Sequence, residues 1–302
     1  MDFKNYLVPG KTGLLIGIGG VSMSPLAEVL HDAGLDIRGS DMAESSNTLT
    51  LREHGIPIHI GHSADNVTDD ISFVIRTAAV HDDNPEVHEA HRRGIPVFER
   101  TQAWGALMRG YQNALCISGT HGKTTTTSMC THIMMAAEKD PTVMIGGTLP
   151  LLKACHRVGK GNTIIMESCE YYNSFLALNP TIAVVLNIEA DHLDFFKDLE
   201  DIKHSFRCFA ERVPAETGTV IANYDDANTM DALRGIARKV ITFGLNAKAD
   251  VYAQNIVHRG SVSEFDIYHQ GNYFAHVTLH VPGIHNVRNA LAATAAAIVL
   301  GV

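Results

Sequence analysis

An α/β protein in two parts is what this sequence predicts, and three observations predict it. Short apolar runs alternate with helix-length amphipathic segments from residue 13 to residue 243, the texture of a parallel sheet with crossover helices. Two of the strand-to-helix turns are glycine-rich, "GIGGVSMS" and "GTHGKTT". From residue 249 onward the helices give way to three consecutive strand-like segments, an antiparallel texture. The expected boundary gives domains 1–111 and 112–302, in line with a prior of about 150 residues per domain.

Taken in order, "GLLIGI" at 13–18 reads as a buried strand, and Met23 to Ala33 as a helix stopped by Gly34. "LDIRGSD" is the next strand. Phe73–Thr77 and Pro96–Phe98 follow, with "NPEVHEAHRRG" helical between them. This first domain is expected to be a Rossmann-like parallel-sheet domain. In the second, "ALCIS" is a strand and "TTTTSMCTHIMMAAEK" a helix. Strands are expected at Thr163–Glu167, Ile182–Asn187, Thr219–Ala222 and Val240–Phe243, and helices at Ile202–Glu211 and Ala227–Ala237. "ADVYAQNIV", "SVSEFDIYHQ" and "YFAHVTLHV" form a small antiparallel sheet with "QGN" as a turn, and "HNVRNALAATAAAIVLG" closes the chain as a helix.

With 45% hydrophobic and 19% charged residues, the 302-residue chain has ordinary globular composition. A net charge of −9 argues against a nucleic-acid surface, which needs a basic face. Five cysteines without a CxxC pair point to a reducing compartment rather than a disulfide framework. The N-terminus lacks signal-peptide features, and the apolar run Ala290–Leu300 is too short to span a membrane. A cytoplasmic protein with no membrane partner is expected.

"ISGTHGKTTTTS" carries the chemistry. A strand, the loop Gly119–Lys123 and a helix from Thr124 would aim backbone N–H groups and a helix dipole at phosphates. Lys123 would neutralise outer phosphates, and the threonine hydroxyl would hold magnesium. As a loop residue, Lys123 is expected to serve the ligand and not the core. The central domain is therefore expected to be P-loop ATPase-like. Glu167, and Asn187 with His192 beyond it, stand at the ends of further strands, where open parallel sheets bind ligands. A strand-end acid and a histidine can meet a magnesium-bound phosphate there.

"GTHGKTTTTS", "NIEADHLDFFKD", "ITFG" and "PGIHNVRNALAATAAA" together resemble the ATP-binding central domain of the Mur ligases. "GIGGVSMSPLAEVL…GSD" and "DDNPEVHEAHRRGIPVFER" resemble an N-terminal domain of the same family, so the likeness covers essentially the whole chain. The resemblance implies an ATP-dependent ligase. It would join L-alanine to the lactyl carboxylate of UDP-N-acetylmuramate through an acyl phosphate, with ATP and Mg2+ as cofactors. It implies catalytic roles for Lys123, Glu167 and His192. It implies a nucleotide site from Gly119, Thr120, His121, Gly122, Lys123, Thr124 and Thr125, with His285, Asn286 and Asn289 near adenine. Magnesium ligands would be Thr124, Glu167 and His192, and Glu167 is preferred to Glu170. Where several members carry a carbamylated lysine, this chain has Phe206 and Arg207, with Lys203 one turn earlier. The family's C-terminal domain, which would present L-alanine, has no counterpart here, so the chain alone is expected to be inactive.

The first glycine loop keeps alternatives open. Gly17 and Gly19 begin a dinucleotide fingerprint and Asp41 stands where a ribose-binding acid would, but Ser22 replaces the third glycine. An NAD-binding domain is the competing reading. In the family the loop takes the diphosphate of a UDP-sugar, which implies substrate contacts from Gly17, Gly19, Gly20, Ser22, Met23, Ser24 and Asp41. A non-catalytic UDP-sugar-binding module and the ligase that recycles murein peptides are the other readings. His59 and His62 in "HIGH" are read as surface-loop residues, not as a metal pair.

Overall fold

Each glycine-rich turn sits at the C-terminal end of a buried central strand, in one of two units whose boundary falls between Gly110 and Tyr111. The computed structural model describes residues 2–77 and 79–302.

The first unit runs β1 (Thr12–Ile16), α1 (Ser24–Asp32), β2 (Asp36–Asp41), α2 (Ser46–Glu53), β3 (Ile58–Ile60), β4 (Ile71–Arg76), α3 (Pro85–Arg92), β5 (Val97–Glu99) and α4 (Arg100–Met108). Its strands form a parallel sheet in the order β3-β2-β1-β4-β5, the doubly wound arrangement expected. β1 is buried along its whole length, and Gly13 is required within it because a Cβ there would lie 2.2 Å from the Phe73 ring. Leu14, Ile16, Val74, Val87 and Ala90 fill one side. Phe3, Tyr6, Phe73 and Phe98 pack mostly edge to face nearby. α2 and α4 add to the sequence reading. α2 starts at a reciprocal cap in which the Ser45 hydroxyl and Thr48 backbone, and the Thr48 hydroxyl and Ser45 backbone, bond one another.

The second unit runs β6 (Asn113–Ser118), α5 (Lys123–Ala136), β7 (Thr142–Leu149), β8 (Ala154–Arg157), β9 (Thr163–Glu167), β10 (Ile182–Val185), α6 (Leu199–Glu211), β11 (Thr219–Asn223), α7 (Ala227–Ala232), β12 (Lys239–Gly244), β13 (Val251–Arg259), β14 (Val262–His269), β15 (Asn272–Leu279) and α8 (Ile284–Leu300). One ten-stranded sheet results, ordered β15-β14-β13-β12-β11-β10-β6-β9-β7-β8. The expected antiparallel strands are there, but they extend the main sheet instead of standing apart. β13 pairs parallel with β12 through Phe243–Val251 and Gly244–Tyr252, β13 to β15 alternate in direction, and at the opposite edge β8 runs antiparallel to β7. The turn at Gln270 and Gly271 has φ of 51° and 80°, the left-handed pair that tight hairpins use. β7 and β8 add to the sequence reading: Gly146 and Gly147 interrupt the apolar run of β7, and the four-residue β8, ACHR, is half-buried throughout. The core joins α5 and α8 to the sheet through Cys130, Met134, Val184, Leu291 and Ala292.

Cys116 and Cys130 lie in this core, and burial pushes both thiols up to about 12. Thiolate is the reactive form. Partial burial raises the Cys169 thiol too, but Cys169 is exposed, so at pH 8 a maleimide should modify it and leave Cys116 and Cys130 untouched until the chain is denatured. Peptide mapping by mass spectrometry checks this; labelling of either buried thiol in the native protein would contradict the packing.

Candidate functional site

The second glycine loop is built by neighbouring strands. β6 lies between β10 and β9, so the loop after β6 is flanked by the ends of both. Asn187, just past β10, fixes it: Asn187 Oδ1 accepts the His121 N–H at 2.8 Å and Nδ2 donates to the His121 carbonyl at 3.0 Å. The Thr120 N–H donates to the Asn187 carbonyl at 3.0 Å, and the Thr120 hydroxyl accepts from Glu189 N at 2.9 Å. Gly119 and Gly122 take φ of 144° and 86°, values that favour glycine. α5 then starts at Lys123, one residue earlier than read, and its N-cap Gly122 offers no side-chain cap. The first-turn N–H groups thus face the loop.

Lys123 does not reach into open space. Its ammonium donates to the Gly119 carbonyl at 2.5 Å, the Thr120 carbonyl at 3.1 Å and Glu170 Oε2 at 3.0 Å. The Glu170 side chain is only 2% exposed. A loop lysine expected to serve only a ligand is therefore also the counter-ion of a buried carboxylate. Thr124 and Glu167 are in contact, with the hydroxyl donating to Glu167 Oε1 at 3.0 Å, while Gly146 N donates to Oε2 at 2.7 Å. A Cβ on Gly146 would sit 2.6 Å from that carboxylate, so this residue, missed in the sequence, is glycine because Glu167 needs the space.

Magnesium is the metal the sequence reading implies here. Among the described residues no three His, Cys, Asp or Glu side chains converge on one point. The Thr124–Glu167 oxygen pair nevertheless fits Mg2+, which takes one or two protein oxygens and completes its shell with phosphate and water. His192 lies elsewhere in the site: its Nε2 is 3.9 Å from Glu170 Oε1, and its ring stacks on Tyr171 at 4.3 Å. The Tyr171 hydroxyl donates to Asp194 Oδ2 at 2.5 Å, and that bond raises the phenol above its ordinary value. His192, Tyr172 and Asn173 all have left-handed backbones, with φ of 51°, 52° and 55°. Three such non-glycine residues persist only where their surroundings over-determine them, a condition common at functional sites.

Beside the loop opens a cavity of about 400 Å³. Leu186 and Phe243 supply apolar wall, and His121, Asp225, His285, Arg288 and Asn289 supply polar edge. His285 and Asn289 both line this cavity. Asn286 does not line it: it is buried, its Nδ2 donates to the Pro282 carbonyl at 2.7 Å and its Oδ1 accepts from Asn289 at 3.1 Å. It braces the start of α8 and orients Asn289. On α6, Phe206 is fully buried against Phe175. Lys203 bonds Glu200 and Asp231, which together raise its ammonium above the usual lysine value.

In the first unit, the 17–20 loop follows β1 at the point where strand order reverses, and α1 starts four residues on, at Ser24. Gly17 N and Ile18 N donate to the Ser40 carbonyl at 2.8 and 3.0 Å, and Gly20 N to the Gly17 carbonyl at 3.1 Å. Asp41 Oδ2 accepts the Gly19 N–H at 2.8 Å, so it braces the loop. Ser22 is not the helix cap: Met23 occupies that position, and the Ser22 hydroxyl accepts from Arg100. Ser24 is buried with an unpartnered hydroxyl. His59 is exposed as expected, but His62 is not a free surface residue. Its Nδ1 lies 2.8 Å from Oε2 of Glu86, a fully buried carboxylate that also accepts from Ser40 at 2.8 Å and Asn66 at 2.6 Å.

Two family models match the chain: the Mur ligase middle domain over residues 117–297 and the Mur ligase family catalytic domain over 15–112. The chain belongs to the Mur ligase family. It is 46% identical over 287 residues to the UDP-N-acetylmuramate–L-alanine ligase of Agathobacter rectalis, covering 95% of this chain and 62% of that protein. It therefore spans less than two thirds of this relative's length. Among solved structures, the UDP-N-acetylmuramate-alanine ligase of Thermotoga maritima superposes with a TM-score of 0.79 at 31% identity, over 96% of this chain and 65% of that one. The UDP-N-acetylmuramate:L-alanyl-gamma-D-glutamyl-meso-diaminopimelate ligase of Neisseria meningitides gives 0.85 at 26% identity, over 97% and 94%. No helix of the described residues is long and apolar enough to cross a membrane.

Proposed function

We propose that the chain carries the sugar-nucleotide and ATP sites of a UDP-N-acetylmuramate–L-alanine ligase. The observation that carries this is Lys123 at the start of α5 beside the Thr124–Glu167 oxygen pair, in a chain 46% identical to a protein of that name. The γ-phosphoryl group of ATP would pass to the lactyl carboxylate, and the amine of L-alanine would then displace phosphate from the acyl phosphate. Lys123 and the first-turn N–H groups of α5 would hold the β- and γ-phosphates, where charge stabilisation supplies most of the catalysis of phosphoryl transfer. The 400 Å³ cavity would take the base, with His285 and Asn289 at its polar edge. Thr124 and Glu167 would hold Mg2+, which when bound neutralises phosphate charge. Asn187 keeps the loop in register for this work, and Tyr171 holds the His192 ring in a fixed plane. In the first unit, the 17–20 loop and the α1 N-terminus would receive the diphosphate of the sugar nucleotide.

The tripeptide-adding activity is the second reading, favoured by the TM-score of 0.85. Sequence identity, 46% against 26%, favours alanine. Titration calorimetry with UDP-N-acetylmuramate, and separately with a non-hydrolysable ATP analogue across a magnesium series, tests the proposal. Both ligands are expected to bind. Glu167→Gln should lower nucleotide affinity about tenfold at saturating magnesium and little without it, the scale of one charged contact. A parent chain blind to both ligands, or a variant with an unaltered magnesium response, would defeat these assignments.

A further inference from the structure

Glu170 is the most buried acid of the second unit's site, and no step above uses it. It follows β9, three residues beyond Glu167, and its two oxygens lie 3.2 and 3.0 Å from Lys123 Nζ. A lysine ammonium has three protons to donate. All three directions are taken here, by the Gly119 carbonyl, the Thr120 carbonyl and this carboxylate. Lys123 cannot bond a phosphate oxygen without releasing one of them. The carbonyls are fixed in the loop by Asn187 and strand β10, whereas Glu170 carries the like charge that an incoming phosphate would face at close range. His192 Nε2 stands 3.9 Å from the same carboxylate, so one buried acid faces two groups of the site at once.

We propose that Glu170 is a positioning residue that competes with the nucleotide for Lys123. Its carboxylate stands in for the phosphate, holding the ammonium folded over its own loop until phosphate displaces it. This rests on the ATP reading of the loop given above. Buried away from solvent, the carboxylate keeps the lysine ordered before binding, and its like charge repels phosphates that arrive without magnesium.

The competition has a sign that a scaffold role does not share. Glu170→Gln keeps the shape and removes the charge. It should tighten binding of a non-hydrolysable ATP analogue in the absence of magnesium by about tenfold, the scale of one net hydrogen bond to a charged group. In a Lys123→Ala background the same substitution should change affinity less than about twofold, because the coupled partner is gone. Thermal melts confirm that each variant folds, and Glu170→Asp, which retracts the charge, carries the same sign if the glutamine variant does not fold. Weaker or unchanged binding by these variants in calorimetry, or an equal gain without Lys123, overturns the proposal. A parent chain that binds no nucleotide overturns the ATP reading and this proposal with it, so the two failures are told apart by the parent titration.

Discussion

Replacing Lys123 with alanine is expected to cost the chain both nucleotide affinity and stability. The affinity loss should be about 100-fold, because a charged donor to the outer phosphates is removed. The stability loss follows from the partner left behind. Glu170 is 2% exposed and Lys123 14% exposed, so the ion pair is mostly out of water. Removing one member strands a buried charge, which costs roughly 2–4 kcal/mol once partial exposure of the lysine is allowed for. The double variant Lys123→Ala, Glu170→Gln should recover most of that stability and none of the Lys123-dependent binding. Urea unfolding and calorimetry on the three proteins separate the two effects. A Lys123→Ala protein as stable as its parent would show that the carboxylate finds another partner or takes up a proton without cost.

What the sequence made legible in this site is what local chemistry dictates. Gly119, Lys123 and Thr124 stand in one strand–loop–helix turn, and Glu167 ends a strand of the same sheet, so periodicity and spacing reached them. What stayed hidden depends on partners far along the chain. Nothing near Glu170 announces a lysine 47 residues away, and nothing near Gly146 announces a carboxylate 21 residues on. Gly146, which lets Glu167 approach β7, is one of the two glycines that interrupt the apolar pattern of that strand. Asn286 shows the converse, since a polar side chain in a motif gives no sign that its amide bonds the backbone at Pro282. In the fold, the alternation of strand and helix gave the parallel sheets, but α2 buries only Thr48 and Leu51, and α4 buries Ala103 to Met108 in one continuous run, so neither shows a helical stripe. The antiparallel segment was visible as texture; its parallel junction to β12 rests on two residue pairs that no local pattern encodes.

Two glycines of the same loop should respond very differently to a methyl group. Gly119 and Gly122 both have positive φ, so alanine is strained at each. At Gly122, φ is 86°, and the new Cβ would approach Asn289 Oδ1 at 2.7 Å, the tip of a side chain held by one hydrogen bond to Asn286 and able to give more readily than backbone. A left-handed alanine costs about 1–2 kcal/mol, and little more is expected at this position. At Gly119, φ is 144°, well beyond the left-handed helical region. Its Cβ would meet Leu186 Cβ at 2.8 Å and the Asn187 backbone nitrogen at 3.2 Å, neither of which can rotate out of the way. The loop would have to leave β10, breaking the Thr120-to-Asn187 hydrogen bond at 3.0 Å and the His121 pair with the Asn187 amide. Strain of about 1–3 kcal/mol then adds to the cost of these lost bonds, so Gly119→Ala should destabilise by roughly 3–5 kcal/mol. Nucleotide affinity should fall below detection, since the N–H groups that face phosphate move with the loop. Gly122→Ala should keep a folded chain, with affinity reduced about tenfold through the displaced Asn289 side chain. Chemical unfolding and calorimetry on the two variants decide the matter. Equal costs at the two positions, or a Gly119→Ala protein that still binds the analogue, would mean that the loop is not held against β10 as described.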